Sequence, residues 1–288
     1  KDSFQYGQYI INAVKILDIQ NGVYWFSHNP NTDGRFHHNL LNLNKKFRKY
    51  ITYDNQRLVE FDLSNSTPFI LASLLANNFT IDINNYINNN TLINTKTYFS
   101  KNTLVSYMSE KIPEYISNKE IQDFLDSCIK GDIYLSISEE YLNKNIHSFY
   151  ENHFFDWKTG ERTYTDEDLK KVVKKDFLGM LFAENKDFQP MQEAFKKSYP
   201  GIYSLLFEIK QEFPYQSLSY LLFQVESYVM LELLARDFNN KNRGRLPFFT
   251  FHDCLVVQES KEQMLEDYMK VRLAEIYKKP PHFKFKKW

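Results

Sequence analysis

The chain has 288 residues, enough for one large domain or two small ones and for a core that needs no covalent staples. Hydrophobic residues make up 43% and charged ones 25%, ordinary globular values that exclude collagen, coiled coil and wholesale disorder. Lys and Arg total 36, as do Asp and Glu, so a nucleic-acid partner would need a local basic groove rather than a basic domain.

Only two cysteines are present, Cys128 and Cys254, which excludes a disulfide framework and points to a reducing compartment. No apolar run approaches the ~18 residues of a membrane span, and the N-terminus lacks a signal-peptide pattern. A non-secreted, cytoplasmic protein without a membrane partner is expected. Aromatic residues reach 17% and Asn is abundant. Together with Lys and Ile these have A/T-rich codons, so genome bias explains them more simply than a base-stacking platform.

A weakly amphipathic stretch, Tyr9 to Leu17, leads into a turn-rich passage from Asn29 to Gly34 and then a basic knot, Lys45 to Lys49. Ile51 to Tyr53, a turn at Asp54-Asn55 and Arg57 to Leu63 read as a strand pair. The next helix is expected to begin at Pro68, with Ser66 or Thr67 as its cap. Asn77 to Thr97 reads as an Asn-rich loop or insertion. Helical periodicity runs from Asn102 to about Tyr199, broken at Pro113, Gly131 and Gly160, and the longest helical pattern spans Pro214 to Phe238. After a basic turn, Lys241 to Arg245, the segment from Pro247 to Glu259 reads as a β-hairpin with His252-Asp253 at its tip. Ser260 opens a last helix reaching Lys279, and the basic tail after it suits an edge strand. Few strands among many helices indicate an α+β chain, one small antiparallel sheet covered by helices.

Two aspartates stand in surroundings wrong for a charge. Asp62 follows Leu58-Val59-Glu60-Phe61, and Asp253 separates Phe249-Thr250-Phe251 from Leu255-Val256-Val257. A carboxylate in an apolar strand must pair, bind metal or be protonated. Singly, Asp253 also suits an exposed turn and Asp62 a helix cap. Together they suit a two-carboxylate site for two Mg²⁺ ions and phosphoryl transfer.

In these segments the chain resembles the palm of family A DNA polymerases and the related phage-type single-subunit RNA polymerases. Thr32-Asp33-Gly34-Arg35 with Asn39-Leu40-Leu41-Asn42-Leu43 is similar to the family's T-x-G-R and N-L-Q-N-I segment, and Phe47-Arg48-Lys49-Tyr50-Ile51 to its I-R-x-x-F/Y stretch. Glu60 to Phe69 resembles motif A, and Phe251 to Glu259 resembles motif C. Gln224 falls where the family has a Gln that contacts primer-template. Motif B is fainter, its four-residue steps landing on Lys170, Lys174, Leu178 and Phe182. Those four share a helical face, which also suits a solvated lysine face with Leu178 and Phe182 in the core.

The resemblance implies a polymerase palm with a helical fingers insertion, thumb and exonuclease largely absent. It places the first half of the palm in residues 1–76, the insertion and fingers in 77–213, and the second half of the palm in 214–288. It implies that Asp62 and Asp253, with the Leu63 carbonyl, hold two Mg²⁺ (or Mn²⁺). Lys174 would be catalytic at the phosphates, and Lys170, Lys174, Leu178, Phe182 and Thr67 would bind a dNTP or NTP. Arg35, Asn39, Arg48, Gln224 and His252 would meet primer-template nucleic acid, and Lys45, Lys46, Lys241, Arg243 and Arg245 are further candidates for phosphate contacts. His252 equally suits a hairpin tip without a role. Three departures from the family stand out: Thr67 replaces the motif A Glu that blocks the ribose 2′-OH, Cys254 replaces the acid after the motif C Asp, and Lys170 and Phe182 replace the motif B Arg and Tyr. A template-directed DNA polymerase is therefore expected, with an RNA-synthesising enzyme or primase and a degenerate, binding-only palm as alternatives. Protein partners are left open.

Overall fold

A computed structural model describes residues 2–29, 33–83, 101–138, 140–141 and 166–288. The chain is α+β and divides into two compact units. The first comprises Lys1–Leu63, Phe223–Glu275 and Phe283–Trp288, and the second Ser64–Leu222 and Ile276–His282.

The first unit is built on an antiparallel sheet. Strand β3 (Thr52–Tyr53) turns through Asp54 and Asn55, both at positive φ (48° and 59°), into β4 (Gln56–Leu63). Two successive left-handed residues are what a two-residue hairpin turn needs, and Asn and Asp tolerate them best. A second hairpin joins β5 (Phe249–Phe251) to β6 (Cys254–Gln258) through His252-Asp253. Strand β4 pairs with β6 on one side and with β7 (Phe283–Lys287) on the other. The basic tail thus forms the edge strand, and its exposed lysines suit an edge that must stay unpaired. A separate two-stranded ribbon joins β1 (Phe26–His28) to β2 (Phe36–His38).

One face of the main sheet packs Leu58, Cys254, Val256 and Phe251 with Leu40 and Trp288. Trp288 closes this cluster. Its backbone N–H donates to Leu58 O (2.9 Å), its indole Nε1 donates to Glu60 Oε2 (2.7 Å), and its ring meets Phe251 edge-on.

The second unit is helical, with Phe124, Phe177, Phe195 and Tyr199 interlocked at its core. Several boundaries differ from the expected ones. The helix after β4 spans Ser66–Leu75, so Ser66 and Thr67 lie inside its first turn rather than capping it. The left-handed Asn65 (φ 53°) makes the reversal by backbone conformation alone, with no side-chain cap. Pro113 falls in the last turn of Lys101–Tyr115 and does not break it, whereas Gly131 caps Asn118–Lys130 at φ 84°. Asn77 to Ile83 is not loose. Buried Asn78 donates to Lys279 O (2.8 Å) and accepts from Lys279 N–H (2.8 Å), while Phe79 bridges Tyr277. These same contacts draw the chain out of helix after Ile276, so the last helix is Glu262–Ile276 and Ser260 sits in the 3₁₀ turn before it. Gly160 and the rest of the Asn-rich stretch lie outside the described residues.

The longest helix runs from Gln216 to Lys241 and contains a π-helical stretch, Tyr228–Ala235. Among the described residues it alone has the length and apolarity to cross a membrane, a property masked in sequence by Glu226 and Glu232. Of its apolar window 67% is buried in the fold, as in a core helix. The Trp288 cluster gives the first prediction. Trp288→Ala should destabilise the first unit by about 3–5 kcal/mol through the lost ring and the cavity it leaves, measured by denaturant unfolding followed by circular dichroism.

Candidate active site

Asp62 is the penultimate residue of β4, where it opposes Cys254 in β6 and Lys284 in β7. Directly opposed residues share a face of the sheet. Asp253 precedes Cys254 at the hairpin tip, and Leu63 N–H donates to Asp253 O at 3.0 Å. The two aspartates predicted as a pair therefore stand at neighbouring ends of adjacent strands, 191 residues apart in sequence. The buried thiol between them registers this. Burial raises the Cys254 pKa first, and the charges of Asp253, Asp62 and Glu60 raise it further. Its Sγ donates to Phe251 O (3.2 Å), so Cys254 is a buried, protonated thiol.

Glu60 lies on the same face, two residues before Asp62, but is tied to structure. It accepts from Trp288 Nε1 and from Arg48 Nη1 (3.4 Å). Arg48, predicted to meet nucleic acid, has its guanidinium 4.7 Å from the Phe251 ring centroid, enclosed by the Trp288 cluster.

Around the hairpin tip a second group assembles from three chain segments. Arg35 forms a two-pronged ion pair with buried Glu226 through Nε (3.0 Å) and Nη2, and its guanidinium lies 3.9 Å over the Phe223 ring. His37 Nε2 pairs with Asp33 Oδ2 (3.1 Å), and the His37 ring meets that of His252 at 5.6 Å. Gly34 (φ 67°) packs against Gln224 and Ser227, where an added Cβ would stand 3.4 Å from Gln224 Cγ. Arg35, Gln224 and His252 thus lie in one neighbourhood of the first unit. His37, Phe223 and Glu226 had no local signal to mark them. Asn39 is buried, with Nδ2 donating to Val23 O (2.8 Å) and Oδ1 lacking a hydrogen-bond partner. Thr32 lies outside the described residues.

His252 is strained and uncharged. Its φ of 48° lies in the left-handed region, costing roughly 1–2 kcal/mol in a non-glycine residue. Burial, then the charges of Arg35 and His37, push its pKa down to about 4, against a smaller opposing effect of Asp33. Its Nδ1 is buried without a partner.

In the second unit, the helix Asp166–Phe182 turns Leu169, Val173 and Phe177 into the core. The predicted nucleotide face, Lys170, Lys174, Leu178 and Phe182, lies off that core side. Lys174 is exposed and the other three are half-buried. Gly179 is required here, since a Cβ would come within 2.4 Å of the Phe188 ring. Gly179, Phe182 and Phe188 line one recess of about 360 Å³. Thr67 is half-buried in the first turn of Ser66–Leu75.

Among the described residues no three or more His, Cys, Asp or Glu side chains gather to cage a metal. A pair of carboxylates fits Mg²⁺, which binds one or two carboxylates and completes its shell with water and substrate phosphates.

His252 carries a pH prediction. Its folded pKa of about 4 lies below its ordinary 6.5, so between these values the unfolded chain binds a proton that the folded chain does not. Stability is therefore lost as pH falls through that window. His38, whose pKa burial also lowers, adds in the same sense. Denaturant unfolding from pH 7 to 4.5 should show this slope, and His252→Gln should flatten it in part.

No family model matches this sequence, and no curated protein does. Solved structures do match. One is the POL domain of Pol1 from M. smegmatis in complex with DNA primer-template and dNTP, at 14% identity and a TM-score of 0.32, covering 92% of this chain and 47% of that one. The chain thus spans about half the length of that structure. At this level of similarity the function has to be read from the chain's own residues.

Proposed function

We propose that this chain is a template-directed DNA polymerase that adds a dNMP to a primer 3′-OH, working in a reducing, cytoplasmic setting. The observation that carries this reading is the meeting of Asp62 and Asp253 at adjacent strand ends, in the order and surroundings of motifs A and C.

Asp62 and Asp253, with the Leu63 carbonyl, would hold two Mg²⁺ ions, for which Mn²⁺ could substitute. Bound there, the ions would activate the primer 3′-OH and neutralise the leaving pyrophosphate. Lys170 and Lys174 would draw in the triphosphate, and Lys174 would supply a proton to the leaving group. Leu178 and Phe182 would pack against the incoming nucleotide. Gln224 and Arg35 would face the minor groove, whose acceptors vary little with sequence and so suit a copying enzyme. The Glu226 pair and the Phe223 ring hold the Arg35 guanidinium in one orientation. His252, kept neutral, would orient the primer terminus without adding charge beside the carboxylates. Asn39 and Arg48 would support the surface from beneath.

Asp62→Asn and Asp253→Asn should each abolish primer extension with Mg²⁺ and dNTPs while leaving unfolding curves intact. Near-normal extension by either variant would defeat the metal assignment, and an inactive wild type would favour a binding-only palm.

Thr67 keeps an RNA-synthesising reading open. A Glu there would set a carboxylate against C2′, whereas Thr is shorter and its hydroxyl can pair with a 2′-OH. Wild type should discriminate weakly between dNTP and NTP, and Thr67→Glu should raise the ratio of kcat/KM for dNTP over NTP at least tenfold. Strong discrimination in wild type, unchanged by the substitution, would assign the sugar gate to another side chain.

A further inference from the structure

The first unit contains a concave surface whose lining includes neither Asp62 nor Asp253. The β1–β2 ribbon forms one wall, the π-helical stretch around Leu231 and Ala235 the other, and Phe248 to Thr250 the floor. Its volume is about 560 Å³, within the range of ligand-binding clefts. The mouth is aromatic. Tyr24, Trp25 and Phe26 are 64%, 45% and 74% exposed, and Phe26 stacks on Phe36 with centroids 5.6 Å apart and planes 24° apart. Three large exposed rings in succession carry a solvation cost that a purely structural ribbon does not require.

Charge identifies the occupant. Among the described residues no carboxylate lines the groove. The basic turn that follows Asn239, a lining residue, is fastened to it by Gly244 N–H to Asn239 O (2.9 Å). Arg243 (φ 53°) and Gly244 (φ 66°) both adopt left-handed backbone, which gives the turn a defined shape. Arg236 is tied to Glu232 and Lys241 to Asp237. Arg243 and Arg245, by contrast, are exposed and have no ion pair among the described residues.

We propose that this groove binds single-stranded nucleic acid. Bases would stack on Trp25 and Phe26, and Arg243 and Arg245 would take phosphates. Ring faces of this kind accept any base but only an unstacked one, so a duplex hides what they bind. The groove includes neither Asp62 nor Asp253, though Asn39 lines it and also underlies the surface proposed for primer-template, and its binding is tested apart from theirs.

The test is fluorescence titration of the full chain with an oligo(dT) of about 12 nucleotides. Wild type should show tryptophan quenching, and Trp25→Phe should remove most of it. Phe26→Ala, an exposed position, should weaken binding about tenfold. Arg243→Gln with Arg245→Gln should lower the slope of log K against log salt by about 1.4, at about 0.7 per phosphate. An Asp62→Asn, Asp253→Asn double variant should quench like wild type, which separates this site from polymerase activity. Absence of quenching in wild type, equal quenching by a blunt duplex, or full affinity in Phe26→Ala would overturn the proposal.

Discussion

The register between β4 and β6 is the constraint on which the candidate site depends. Side chains alternate along a strand, so a slip of one residue would carry Asp62 to the opposite face and away from Cys254. The register is held because both faces of β4 are buried: Leu58 packs on the Trp288 side, and Val59, Phe61 and Leu63 on the other. No alternative pairing hides both sets. The tight His252-Asp253 turn then fixes Asp253 beside the end of β4, through the Leu63 to Asp253 hydrogen bond.

Two carboxylates share that face of β4. Glu60 is neutralised by Arg48 and the Trp288 indole and serves the sheet. Asp62, one pleat closer to the strand end, opposes a protonated thiol on one side and an edge-strand lysine on the other. The same logic separates the arginines. Arg35 and Arg48 are oriented by buried partners, whereas Arg243 and Arg245 project from a turn into solvent. Burial and pairing thus separate residues of the same type into ones held by partners within the first unit and ones left exposed.

His252 joins the two kinds of role. A left-handed histidine with an unpartnered Nδ1 and a depressed pKa is costly, and the His37 ring packs edge-on against it. Strain of this sort persists only where neighbours over-determine it, and it is concentrated at sites that do something.

The sequence by itself determined the local elements. The strand run before Asp62, the apolar runs flanking Asp253, the Asp54-Asn55 turn and the face bearing Lys170 and Lys174 all follow from spacing within a few residues, because pleat, turn and helix geometry are local. It also marked Asp62, since a carboxylate in an apolar strand is anomalous wherever that strand packs. Only the tertiary structure decided which charges are already spoken for. The Arg35–Glu226 pair spans 191 residues and the Trp288–Glu60 bond 228, and no pattern in the intervening chain specifies either. Lys210, buried enough to bring its pKa down to about 8 and donating to Met180 O, was likewise invisible as one lysine among many. The aromatic groove belongs with these. Composition made its rings look like codon bias, and their meaning rests on exposure, which the packing of distant segments sets and sequence spacing does not.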